Sequence, residues 1–170
     1  RYDVAIDGLG YFQIMMPSGE LSYTRAGSFQ LSDQGELVTT DGYRVQPDIT
    51  IPQNAIDVII SKTGEVQVKI SGQPELQTVG QLELATFVNE AGLEAIGSNL
   101  FLETAASGQP TVATPGEPGF GTLSQGFLEA SNVNPVAEIT SLVTAQRAYE
   151  TNSRVVKAAD EMLATSAQLR

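Results

Sequence analysis

From Val136 to about Leu169 the chain contains neither Gly nor Pro, and this uninterrupted stretch restricts the possible folds more than any other feature. It is rich in Ala, Glu, Lys and Arg, side chains that lose little freedom in a helix. Asn134-Pro135 stands just before it. An Asn there can accept hydrogen bonds from the orphan amides of a first turn, and the fixed φ of Pro suits that turn. Glu138 adds a negative charge where the helix dipole is positive. The expected helix is about 50 Å long at 1.5 Å per residue, far longer than the usual three turns.

Such a length requires something to pack against. Leu142, Tyr149, Val156 and Leu163 recur every seven residues, flanked by Ala145, Ala148, Val155, Ala159 and Met162. Apolar residues at this period form a continuous seam, and the alanines allow another helix to approach closely. A β domain of about 100 residues is too small to cover the whole seam, so a partner helix is expected, either from another part of the same protein or from neighbouring subunits. Asn152 and Ser166 interrupt the seam, which favours a larger bundle over a free-standing two-stranded coiled coil. The residues expected to carry assembly are Leu142, Ala145, Tyr149, Val156, Ala159 and Leu163. The competing reading is that the seam covers the chain's own β domain.

Upstream, from Val4 to about Leu102, short runs of period two alternate with turn residues, the signature of antiparallel β structure. Val4, Ile6, Phe12 and Ile14 begin the pattern. Turns are expected at Pro17-Ser18-Gly19-Glu20 and Ser32-Asp33-Gln34-Gly35, and a tight hairpin at Asp41-Gly42, where Gly tolerates positive φ. Ile56, Val58 and Ile60, then Lys62-Thr63-Gly64, then Val66, Val68 and Ile70 read as a hairpin with one buried face. Leu82, Leu84 and Phe87 supply another strand, and Leu93, Ile96, Leu100 and Leu102 extend the core. Between Thr104 and Gly121 the composition turns to Gly, Pro, Ser, Thr and Ala, and a long surface loop or linker is expected. The fold class is therefore mainly β: an antiparallel domain of short strands and hairpins over residues 1–130, with a long C-terminal α-helix over 131–170.

Charge and inventory narrow the function. Nine Lys and Arg stand against 20 Asp and Glu, a net charge of −11, which repels nucleic acid and anionic lipid. No apolar run reaches the roughly 18 residues of a membrane span. The chain opens in a strand-like pattern without an initiator Met, as a piece of a longer protein would. With no His and no Cys, Ser-His-Asp triads, Cys-His pairs and His- or Cys-based zinc sites are excluded. Asp33 with Glu36 or Asp41 could form a carboxylate pair of the glycosidase kind, but turn positions favour Asp and Glu for solvation alone. Gly8-Leu9-Gly10 lacks the third glycine and the following helix of a dinucleotide fingerprint and reads as a bend where backbone approaches closely. Asp33-Gln34-Gly35-Glu36 lacks the alternating oxygen ligands of a calcium loop. No catalytic residue, metal or cofactor is expected. The contrasting reading is a secreted β-rich carbohydrate-active or carbohydrate-binding module, against which the absence of Trp and the 6% aromatic content weigh.

Several stretches carry a more specific likeness. Gly8-Leu9-Gly10-Tyr11-Phe12-Gln13, Tyr23-Thr24-Arg25-Ala26-Gly27-Ser28-Phe29 and Gly35-Glu36-Leu37-Val38-Thr39-Thr40-Asp41-Gly42-Tyr43 resemble the shared β region of flagellar rod and hook proteins. Ser131-Asn132-Val133-Asn134, Ala145-Gln146-Arg147-Ala148-Tyr149-Glu150 and Ala158-Ala159-Asp160-Glu161-Met162-Leu163 are similar to that family's C-terminal helix. The middle segment Gln46-Pro47-Asp48-Ile49-Thr50-Ile51-Pro52, with Val79-Gly80-Gln81-Leu82 and Phe87, looks most like the distal-rod type, the proximal-rod and hook types being close. The resemblance implies an exported structural subunit of the basal body that polymerises with copies of itself, beside proximal-rod and hook subunits and within surrounding ring proteins. It also implies an N-terminal helix, which this chain does not carry, pairing with the C-terminal one to form an inner tube while the β domain faces outward. Export by the flagellar type III pathway follows from the same resemblance.

Overall fold

A computed structural model describes residues 2–73 and 75–168, with the side chains of the helix described through Leu163. Leu169, the expected helix end, and the side chain of Ser166 lie outside that range. The chain divides into two compact units, Arg1–Glu129 and Ala130–Arg170.

The first unit is made of antiparallel strands. They are β1 (Val4–Asp7), β2 (Tyr11–Met15), β3 (Leu21–Thr24), β4 (Phe29–Leu31), β5 (Leu37–Thr39), β6 (Arg44–Gln46), β7 (Ala55–Ile60), β8 (Glu65–Ile70), β9 (Leu76–Gln81), β10 (Leu84–Thr86), β11 (Glu94–Gly97), β12 (Leu100–Leu102), β13 (Thr111–Ala113) and β14 (Thr122–Gln125). The largest sheet runs β11-β12-β3-β2-β6-β5-β4, with β10 pairing both β2 and β13. A second sheet is β7-β8-β9, and β1 pairs with β14 in a third. The chain's first and last strands in this unit thus close on each other, Val4 opposite Gln125 and Asp7 opposite Thr122.

Alternation puts the core where the sequence pattern expects it. Phe12 and Ile14 of β2 join Val4, Ile6, Phe29, Leu37, Val45, Val58, Val66, Val68, Leu84 and Leu123 in one cluster shared by all three sheets. The rings of Phe12 and Phe29 meet edge to face at 5.0 Å, the geometry their quadrupoles favour. The opposite face of β2 carries Tyr11, which packs with Tyr23, Ala85 and Phe87 in a smaller cluster. As the strand is covered on both faces, Tyr11 through Ile14 are all buried.

The expected turns form. Gly19 N donates to Met16 O, Gly35 N to Ser32 O and Gly42 N to Thr39 O. Gly27 is required by close approach: a Cβ there would lie 1.6 Å from Val4 O, and its own carbonyl accepts Val4 N at 2.9 Å. Gly8, at φ +116°, lets the loop after β1 pass Gly121 with 2.8 Å between its would-be Cβ and that residue's Cα. The Gly8-Leu9-Gly10 bend is therefore a packing device.

Three expectations are corrected. Ile56 does not share the buried face of Val58 and Ile60: the β7 register shifts between Ala55 and Asp57, and the bulge turns Ile56 outward to 54% exposure. Ile96 lies on the edge strand β11 and is exposed, whereas Leu100 is buried. The Gly- and Pro-rich stretch after Thr104 is not a plain loop, since it contains β13, and Ser107 is buried with its Oγ donating to Thr104 O at 2.9 Å.

Candidate assembly surface

The second unit is the helix α1 (Pro135–Gln168). Asn134 caps it: its Oδ1 accepts Val136 N at 3.0 Å and Ala137 N at 3.4 Å. Glu138 lies in the first turn, where its charge favours the helix dipole. Thr140, Thr144 and Thr151 turn their hydroxyls back to the carbonyls of Val136, Thr140 and Arg147, so these polar groups are satisfied within the helix itself.

All six residues expected to carry assembly lie on this one helix. At about 100° per residue, Leu142, Tyr149, Val156 and Leu163 step back by about 20° per heptad, and the six together fall within an arc of about 100°. The large members are exposed, Leu142 at 59%, Tyr149 at 77%, Val156 at 60% and Leu163 at 69%. Ala148, Val155 and Met162 widen the stripe on one flank, with Val155 and Met162 exposed as well. Arg147, Glu150, Arg154, Lys157 and Glu161 occupy the opposite side, where the pairs Arg147–Glu150, Glu150–Arg154 and Lys157–Glu161, three or four apart, bring opposite charges together.

Sequence reading missed Val136, Ile139 and Val143, which stand exposed near the start of the helix on the side that the charged residues occupy further along. Their i, i+3, i+7 spacing is itself a helical signal, but it begins in the first turn and lies outside the heptad register set by Leu142.

Among the described residues no cluster of three or more His, Cys, Asp or Glu could hold a metal, and no described helix is long and apolar enough to cross a membrane. Asp33 and Asp41 stand exposed in their turns, and Glu36 is engaged by Arg44 at 3.2 Å. A groove of about 600 Å³ brings Glu20 and Glu103 onto one rim beside Leu21, Tyr23, Leu102 and Pro110. Both acidic residues are solvent-exposed.

Residues 5–68 match the family model described as flagellar hook protein FlgE/F/G D1 domain, and residues 124–169 match that described as flagellar basal body rod FlgEFG protein C-terminal. The chain is 66% identical over 168 residues to the flagellar basal-body rod protein FlgG of Caulobacter vibrioides, covering 99% of this chain and 64% of that protein. It is 51% identical over 162 residues to the protein of the same name from Agrobacterium fabrum, covering 95% and 62% respectively. To the flagellar hook protein FlgE of Salmonella typhimurium it is 38% identical over 119 residues, covering 70% of this chain and 29% of that one. The chain therefore spans somewhat less than two thirds of the length of the rod proteins it matches.

Proposed function

Because the chain belongs to the flagellar hook and basal-body rod protein family, we propose that it is a structural subunit of the distal rod, polymerising into a helical tube that carries torque from motor to hook. The observation that carries this reading is the apolar seam of α1, exposed from Leu142 to Leu163 on a helix much longer than a β unit of this size can use. A seam repeated in identical subunits and joined head to tail generates a helical filament where the rotation between neighbours does not close a ring. Its partners are copies of itself, the adjoining proximal-rod and hook subunits, and the rings around the rod. Its place is the basal body, reached through the flagellar type III export pathway, and it carries out no catalysis. The distal rod is favoured over the hook because likeness to rod relatives runs through 95 to 99% of the chain, whereas likeness to the hook protein stops at 70%.

The test replaces Tyr149 and Val156 by Asp in the full-length protein, expressed in place of the native copy. The doubly substituted protein should fold its β unit, as read by circular dichroism, yet be missing from purified basal bodies. Normal incorporation would overturn the reading, and so would loss of the β fold, because the seam would then serve the subunit's own core.

A further inference from the structure

We propose that Arg25 and Glu129 form a clamp that fixes the outgoing end of the β unit, so that free movement of the connector to α1 begins at Ala130 and not at Gly126. Between β14 and α1, residues 126–134 form neither helix nor strand. Gly126 is tied by its amide to Asp3 O at 2.8 Å. The next tie to the β unit is the Glu129 carboxylate, which accepts Arg25 Nε at 2.8 Å. Beyond it, Val133 N donates to Ser131 Oγ, and Asn134 serves the helix. The division into compact units falls at the same place, immediately after Glu129.

An exposed ion pair is ordinarily worth little, because two long side chains must be ordered to make it. Here that ordering is already supplied for Arg25. Arg25 Nη1 donates to both Gly8 O and Gly10 O at 3.1 Å, and the guanidinium carbon lies 5.9 Å from the centre of the Tyr11 ring. The guanidinium is thus held by backbone and by an aromatic face on one side and presents Nε to Glu129 on the other. A planar fork held in this way loses little further freedom when the carboxylate arrives. The clamp joins three stretches distant in sequence, residues 8–11, 25 and 129, and gives Arg25 a role that core packing does not. This inference does not depend on which assembly the chain enters.

The test is Glu129→Ala in the full chain, read by backbone amide relaxation and by chymotryptic cleavage after Phe127 and Leu128. In the parent chain residues 127–129 should have the order parameters of rigid backbone, about 0.85, falling below about 0.6 in the variant. Cleavage should accelerate about tenfold, while the relaxation of β2 and β3 stays unchanged. Glu129→Gln, which still accepts a hydrogen bond but without the charge, should lie between the two. Unchanged order and cleavage in Glu129→Ala would overturn the clamp. So would loosening that spreads through β2 and β3, because Glu129 would then support the whole fold and not its exit.

Discussion

The carboxamide of Gln125 serves Ile60 as a neighbouring strand would: its Oε1 accepts the Ile60 amide at 2.8 Å, while its Nε2 donates to the Val58 carbonyl at 2.8 Å. One side chain thereby closes part of the outer edge of β7. Other edges of the unit are blunted by different means. The register shifts within β7, within the β11–β12 pair and within the β8–β9 pair, and such bulges spoil the flat template that an incoming strand needs. These edges of the β unit are thus guarded against edge-to-edge pairing.

Replacing Gln125 by Leu should reopen this edge. Ile60 N and Val58 O would lose their partners, at a cost of about 1–2 kcal/mol, read as a lower urea midpoint with an unchanged slope. Size-exclusion chromatography at rising concentration should also show more association than the parent chain does.

Gly27→Ala should be far more damaging than its size suggests. A methyl group cannot lie 1.6 Å from Val4 O, so the approach of β1 to the Gly27 carbonyl must break. A loss of about 3 kcal/mol or more is expected, measured as a collapse of the thermal midpoint or a failure to recover soluble protein.

How much of this was legible beforehand depended on whether the cause was local. The cap at Asn134, the turns at Gly19 and Gly42 and the buried positions Val58, Ile60, Val66 and Val68 depend on neighbours in sequence, and the pattern exposes them. The outward turn of Ile56 and the strand within residues 104–121 depend on register against distant strands, which alternation alone cannot specify. The roles of Gln125 and Arg25 were hidden for the same reason: each acts on backbone many residues away, at Val58 and Ile60 in one case and at Gly8 and Gly10 in the other. The exposed apolar stripe of α1 was visible because a heptad repeat is local to its helix, whereas Ile139 escaped notice by standing outside the repeat.

Removing the cap tests the helix start by itself. Asn134→Ala leaves the Val136 and Ala137 amides without their side-chain acceptor and should cost about 1 kcal/mol. The first turn should fray, lowering the helical signal in circular dichroism while the β unit keeps its unfolding midpoint.

Two buried phenols set an alkaline limit on the β unit. Burial, with Glu90 nearby, raises the pKa of Tyr11 against the opposing pull of Arg25. Burial, with Glu103 adding to it, raises that of Tyr23. A pKa higher in the folded state means that folding holds these protons more tightly. The resulting stability is complete below the ordinary tyrosine value near 10 and is lost as pH climbs through the folded values. Tyrosinate absorbance should therefore rise together with the loss of β circular dichroism, and Glu90→Gln should move the Tyr11 step to lower pH.

The seam on α1 also makes a prediction of phase. Arg154 and Val156 are two residues apart, yet at about 100° per residue they point about 160° away from each other, one on the charged side and one on the stripe. If the stripe is the contact, Arg154→Ala should assemble into basal bodies at near-parental yield while Val156→Asp does not, and Ala159→Leu should fail as well by holding a neighbouring helix off. If Arg154→Ala and Val156→Asp are impaired alike, the defect tracks the helix as a whole and the stripe has no privileged face. Val and Asp are close in intrinsic helix propensity and Ala exceeds Arg only slightly, so helix propensity contributes little to a difference between the two sites.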